Sequence, residues 1–361
     1  MSSLSVVIFA LLMIIILYAI CTCLRVKPIK SCDTVTCSTY NVGVNPAGMA
    51  LCGDYLFVAN NNNYGIKGSD NVTVINVRTG LLETTINDTS FNGPYTITAS
   101  ECCDFVYVTN SNASSVTKIS THTLSVVDVL TGFDGPSGFV LYGGYAFVNN
   151  YGATPGKGSG NGTTISVYDL KAKTIIKTIT TDLAPAAMTK CDNKLIVVNY
   201  VDGNPGTGTL QVINMDTFAI DGEKVTGLSG PFDVVSDGHT AYVTNFGSNN
   251  FFPYGTTVNG VNLKTRKIDS VINVGIQPSG IALCRDKLYV TNYNTLYSDP
   301  QFSQLVAGQG TVSVIDVCDK RCPKICPCVK VVGQSPANLI VCGGVAYVSN
   351  YTSNTVNTFR V

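Results

Sequence analysis

The chain has 361 residues, with 23 Lys and Arg balancing 23 Asp and Glu, so its formal net charge is zero. Only 13% of residues are charged, about half the roughly 25% of an average soluble domain, which excludes a broad basic nucleic-acid surface and a highly charged disordered chain. Two histidines, His122 and His239, leave little material for His-rich metal or catalytic sites, whereas 14 cysteines point to disulfides or metal.

Taken from the N-terminus, the first element is an apolar segment. No charged side chain precedes Arg25, and Leu4 to Leu24 is almost wholly Leu, Ile, Val, Ala, Met, Phe, Tyr and Cys. About 20 such residues span a bilayer core as a helix. A cleaved signal peptide would want a basic start and a shorter apolar core. The reading is therefore a single transmembrane anchor with its basic flank over 1–31. Arg25, Lys27 and Lys30 favour keeping the body cytoplasmic. The cysteines favour an oxidising compartment. The placement expected is a single-pass membrane protein with its body on the extracellular or particle-surface side. Five N-x-S/T sequons, at Asn71, Asn87, Asn112, Asn161 and Asn350, carry no excess over chance in a chain this rich in Asn, Ser and Thr.

A short strand is expected over 34–44 (TVTCSTYNVGV), and then a repeat begins. Its units start at Pro46, Pro94, Pro136, Pro185, Pro231, Pro278 and Pro336. Each reaches an apolar run ending in Asn: LFVAN to Asn60, VYVTN to Asn110, AFVNN to Asn150, LIVVN to Asn199, AYVTN to Asn245, LYVTN to Asn292 and AYVSN to Asn350. The Pro-to-Asn separation is 14 in six units and 16 in the second. After each Asn come two more β-rich stretches, for example 71–77 (NVTVINV) and 81–86. Four short strands per unit, separated by Gly, Asn and Asp, is the pattern of a propeller blade. The seventh unit stops after its third strand, and 34–44 supplies the missing one. The fold expected is all-β: a seven-bladed β-propeller over 32–361, closed by its N-terminal strand so that no sheet edge stays open.

The segments VYVTN, AYVTN and LYVTN, with the Gly-Pro or Gln-Pro turn before them and TVSVID after, resemble the YVTN β-propeller repeat. That family includes archaeal surface-layer proteins and other surface or secreted proteins. A looser similarity reaches lactonase-like and nitrite-reductase haem-domain propellers. The resemblance covers 34 to 361. It implies that Asn60, Asn110, Asn150, Asn199, Asn245, Asn292 and Asn350 are architectural, a short amide capping backbone groups at a tight strand end.

Two places could carry a function. The innermost strand of each blade follows its Pro, and the only axial residues there with metal-binding side chains are Asp233 and Asn338. A lactonase-like hydrolase with a hard cation at the axis needs more oxygen donors than these. The loops after each signature Asn all emerge on one face. They carry aromatics among Asn, Ser and Gly, the composition of an adaptable binding surface. Tyr151, Tyr200, Phe246, Tyr293 and Tyr351 recur at one register, so they are expected to pack between blades. Tyr64, Phe251, Phe252, Tyr254, Tyr297 and Phe302 do not recur and are the candidate contacts. The face is expected to be uncharged and suited to a protein or glycan partner, with no nucleic acid and no cofactor.

The cysteines fall into sets. Cys52, Cys102, Cys191, Cys284 and Cys342 each lie eight residues before a signature Asn. They are expected to be small buried thiols too far apart to bridge. Cys318, Cys322, Cys326 and Cys328 form an insertion, expected to carry nested disulfides Cys318–Cys328 and Cys322–Cys326, with a zinc site as the less favoured reading. Cys32 and Cys37 are a further candidate pair. Cys103 is left over beside Cys102. The function expected is that of a membrane-anchored, non-catalytic binding, adhesion or structural module at a cell or virion surface. The alternative is the axial hydrolase.

Overall fold

A computed structural model of the chain describes residues 38–62, 68–154, 157–158, 160–247, 254–297, 305–320, 323–326 and 329–361. Each repeat folds as an antiparallel sheet whose first strand starts at the repeat's Pro. In blade 1 the strands are Pro46–Cys52, Tyr55–Asn60, Asn71–Asn76 and Leu81–Ile86, hydrogen-bonded in that order. The first strands of the other blades are Pro94–Ala99, Pro136–Tyr142, Pro185–Cys191, Pro231–Ser236, Pro278–Cys284 and Pro336–Cys342. These seven strands touch their neighbours all the way round, including the last against the first, which closes a seven-bladed ring about an axis.

The register explains the Pro-to-Asn spacing. In every blade the Pro is the partner of the signature Asn, and a bulge follows directly. Proline has no N–H to give, so it suits the first residue of a strand. The residue before it is left-handed in all seven blades, with φ of 54° at Asn45, 63° at Gly93, 54° at Gly135, 55° at Ala184, 55° at Gly230, 53° at Gln277 and 53° at Ser335. Glycine takes that conformation freely, and the four other residues are held in it by the turn.

The second strands read as unbroken apolar runs because they are covered on both sides. Phe57 and Ala59 enter the core between blades 1 and 2, with Ile97, Val106 and Ile119. Leu56 and Val58, the alternate residues, enter the core between blades 7 and 1, with Tyr347 and Val356. Corresponding clusters lie between blades 2 and 3, 3 and 4, 4 and 5, and 5 and 6. Burying both faces of a strand in this way removes the period-two alternation of a half-exposed one.

Blade 7 is completed by Thr39–Asn41, paired antiparallel with Thr355–Arg360. Asn357 Nδ2 donates to Thr39 Oγ1 at 2.8 Å, and Asn45 N–H donates to Asn354 Oδ1 at 2.9 Å. Residues Cys37–Val361 form one compact unit. The expected anchor lies outside the described residues, and among those described no helix is long and apolar enough to cross a membrane. The outermost strand is split in two blades. Ala219–Ile220 and Val225–Leu228 share it in blade 4, and Lys324–Ile325 and Lys330–Gln334 in blade 6.

The cysteines depart from expectation. Cys318 and Cys326 are free thiols, so neither expected nested disulfide is present at them. Their expected partners, Cys328 and Cys322, lie outside the described residues, as do Cys32 and Cys37. The recurring set is not uniformly buried. Cys52 is, but Cys191 and Cys284 are half-buried and Cys102 and Cys342 are exposed, because each lies at or just past the end of a strand running into a surface turn.

Candidate functional site: the loop face and the axial mouth

Buried polar side chains of the second strands hold up the face from which the long loops leave, one in every blade and a second in all but blades 1 and 4, where Ala59 and Val198 stand. The first is the signature Asn. Its Nδ2 donates to two polar side chains of the third strand: Thr311 Oγ1 at 2.9 Å and Ser313 Oγ at 3.0 Å from Asn292, and Thr257 Oγ1 at 2.9 Å and Asn259 Oδ1 at 2.7 Å from Asn245. The same pair of contacts occurs in the other five blades. Its Oδ1 accepts a backbone N–H from the turn before the Pro in four blades, as from Gly275 at 3.0 Å. In Asn60, Asn199 and Asn350 that oxygen is buried without a partner. The expected backbone cap is thus half the role. The other half ties the second strand to the third.

The second is the residue just before that Asn, whose part sequence reasoning missed. Thr244 Oγ1 accepts the N–H of Asp233 at 3.0 Å and donates to Ser279 O of the next blade at 2.8 Å. Ser349 does the same for Asn338 N–H, at 3.2 Å, and for Ala47 O, at 2.7 Å. Asn149 reaches Pro185 O at 2.8 Å. The recurring Thr or Ser of VYVTN and AYVSN was the available signal: a hydroxyl in an otherwise apolar buried strand needs a partner.

On this base the loops rise as ribbons. Ala153–Thr154 pairs with Lys157–Gly158 in blade 3, and Thr295–Tyr297 with Leu305–Ala307 in blade 6. In blade 5 the second and third strands run on past the sheet, to Gly247 opposite Tyr254. Of the candidate contacts, Tyr254 and Tyr297 therefore stand in loop ribbons, and Tyr254 is half-buried. Tyr64, Phe251, Phe252 and Phe302 lie outside the described residues.

The recurring aromatics pack across blades as expected, and together they make an arc around the mouth of the axis. Phe232 stacks on Phe246 with centroids 5.1 Å apart, Phe246 meets Tyr293 at 5.8 Å, and Tyr293 meets Tyr351 at 6.3 Å. Tyr351 OH donates to Asn61 Oδ1 of blade 1 at 3.5 Å. Tyr200 OH crosses from blade 4 to Gly247 O at 2.7 Å. Tyr95 completes the set from blade 2. Burial pushes its phenol above the usual range, and the nearby Tyr151, Asp233 and Tyr293 push it further.

Asp233 is half-buried by its residue surface while protein packs closely around its carboxyl. Its Oδ1 accepts Val234 N–H at 2.8 Å and its Oδ2 accepts Ile281 N–H of blade 6 at 3.1 Å. Burial raises the carboxyl to about 6, although those two donors pull it down. Asn338 Oδ1 is buried without a partner. Through Ile281 N–H, Asp233 bridges the inner strands of blades 5 and 6. A Cβ on Gly280, the equivalent residue of blade 6, would stand 2.8 Å from Asn338 Cα. One carboxylate and one amide do not fit a hard cation, which takes six or more oxygens. Among the described residues no three His, Cys, Asp or Glu side chains gather as metal ligands.

The face is also not uncharged. The connections put Asp70, Asp88, Asp134, Asp182 and Asp202 on it, and these hold the loops. Asp70 Oδ1 accepts Gly93 N–H at 2.9 Å, Asp202 Oδ1 accepts Thr207 Oγ1–H at 2.6 Å, and Asp182 pairs with Lys224 at 2.9 Å.

No family model matches the chain, and no curated protein sequence matches it significantly. Solved structures do. A structure of hydrazine synthase from Kuenenia stuttgartiensis superposes with a TM-score of 0.68 at 17% identity, covering 88% of this chain and 96% of that one. A chain of the mitotic checkpoint complex gives 0.68 at 11% identity, over 90% and 91%. A structure of U3-55K gives 0.66 at 10% identity, over 90% and 98%. At such identities the likeness is one of fold: a seven-bladed β-propeller.

Proposed function

We propose that the propeller is a non-catalytic binding module, anchored to a membrane by the apolar segment at 4–24, that takes a protein or glycan partner on its loop face. The observation that supports this reading is the arc of aromatic rings about the axial mouth, flanked by Asn- and Gly-rich loop ribbons. Rigid amphipathic rings give contact area at little entropic cost, and small polar loops adapt around them. The YVTN-like repeat supports a surface location by resemblance alone.

The test is site-specific photocrosslinking on the full chain in its membrane. A photoreactive phenylalanine analogue replaces Tyr254 on the loop face. In a control it replaces Leu82, which is 60% exposed on the outer strand of blade 1. Discrete adducts at 254 and none at 82 are expected. Equal labelling at both positions, or turnover of a lactone or ester by the purified chain, would refute the reading. Alkaline carbonate extraction tests the anchor: the full chain stays with the membrane, and a chain lacking 1–31 is released.

A further inference from the structure

The turns between first and second strands bring together thiols that the repeat alone would hold apart. Cys52 ends the first strand of blade 1 and is 4% exposed, inside the core shared with blade 2. The equivalent turn of blade 2 is the one lengthened by two residues. The extra length lets Cys103 N–H bond back to Ser100 O at 2.9 Å, with Cys103 in the left-handed region at φ 57°. The Cys103 side chain thereby turns inward and packs on the same core as Cys52, near enough that the two thiols act on each other electrostatically. Cys102 turns outward, and its S–H donates to Asp104 Oδ2 at 3.0 Å. All three are free thiols.

We propose that Cys52 and Cys103 are a redox-active pair that a small disulfide, such as oxidised glutathione, converts into a covalent bond between blades 1 and 2. Cys103 is the more accessible of the two. It gives its proton to water, and the thiolate attacks one sulfur of the glutathione disulfide. That S–S bond breaks, and one glutathione leaves as a thiolate that takes up a proton. Cys52 then gives up its proton and attacks Cys103 Sγ of the mixed disulfide, displacing the second glutathione thiolate. Two protein thiols are oxidised, and one glutathione disulfide is reduced to two thiols. Burial holds the Cys52 thiol up at about 12, so the second exchange is the slow one and Cys103 is the point of entry. Cys102 takes no part, because it faces away from Cys52.

The test uses the full chain in detergent micelles, incubated with oxidised glutathione at pH 8. It is then denatured, alkylated with N-ethylmaleimide, digested without reduction and analysed by mass spectrometry. The expected product is a peptide pair joined through Cys52 and Cys103, with Cys102 alkylated. The bond closes a loop of about fifty residues, so the oxidised protein should melt roughly 5 °C above the reduced one. Cys102→Ser should keep the cross-link and the rise in Tm. Cys103→Ser should abolish both while its reduced form melts near wild type. Alkylated Cys52 after oxidation, a bond from Cys52 to Cys102, or glutathione left on Cys103 would each overturn the proposal.

Discussion

Replacing Asn292 by Ala isolates what the signature amide contributes. Asn292 is 1% exposed. It makes three hydrogen bonds, to Thr311 Oγ1 at 2.9 Å, to Ser313 Oγ at 3.0 Å and from Gly275 N–H at 3.0 Å. Each such bond contributes about 1 kcal/mol net, so the truncation should cost about 3 kcal/mol. Asn199 provides an internal comparison. It bonds Thr209 Oγ1 at 3.1 Å and Gln211 Oε1 at 2.9 Å, while its own Oδ1 is already unpartnered. Asn199→Ala should therefore cost about 2 kcal/mol. A domain of this size loses about 0.7 kcal/mol per degree near its midpoint. The two variants should then lower Tm by about 4 °C and about 3 °C. Differential scanning calorimetry, supported by urea titration, resolves them from each other and from the exposed control Asn87→Ala, expected within about 1 °C of wild type. If Asn292→Ala melts with the control, the reasoning that the amide ties second strand, third strand and turn together is wrong.

Other outcomes follow from the same geometry. Thr244→Val keeps the shape but strands Asp233 N–H and Ser279 O, and should cost about 2 kcal/mol in urea unfolding; no loss would mean that water replaces the hydroxyl. Gly280→Ala drives a Cβ to 2.8 Å from Asn338 Cα and 3.1 Å from Ala337 O, and should cost about 2 kcal/mol by overpacking two backbones, read as a lower Tm. Ala184→Gly should instead raise Tm by about 1 °C, since Ala184 sits at φ 55° and glycine relieves more strain there than it adds in chain entropy. Folding raises the Asp233 carboxyl from 3.8 to about 6, so the folded state holds that proton more tightly than the unfolded chain. The resulting stability is complete below about pH 4 and is lost as pH rises through 6, by at most about 3 kcal/mol. Asp233→Asn should flatten that part of the Tm profile, and parallel profiles for the two proteins would count against the assignment.

The repeat was readable because its invariants are local. A Pro paired with an Asn fourteen residues on, across a hairpin, writes the same register into the sequence each time. The apolar second strand and the hydroxyls of TVSVID at Thr311 and Ser313 recur for the same reason. What stayed hidden depends on neighbours. The second residue after each Pro meets the adjacent inner strand, so the bond from Ile281 N–H of blade 6 to Asp233 could not be read from either repeat alone. The ribbons at Thr295–Tyr297 and Leu305–Ala307 form between Asn- and Gly-rich stretches with no apolar alternation to announce them. The meeting of Cys103 with Cys52 arises from a turn two residues too long. That irregularity was visible in the second repeat, but its partner lay in another blade.

The strand that completes blade 7 has a consequence for synthesis. Thr39 leaves the ribosome 318 residues ahead of Asn357, whose amide will donate a hydrogen bond to it. At translation rates of about 5–20 residues per second, that is roughly a quarter of a minute to a minute. Throughout that interval the ring has no closing pair, and each new blade presents a bare apolar side to the next. A nascent chain of this kind is exposed to mispairing throughout that interval. Its most vulnerable moment comes just before the ring closes, when six blades are in place and the seventh still lacks both its own strands and its first-made partner.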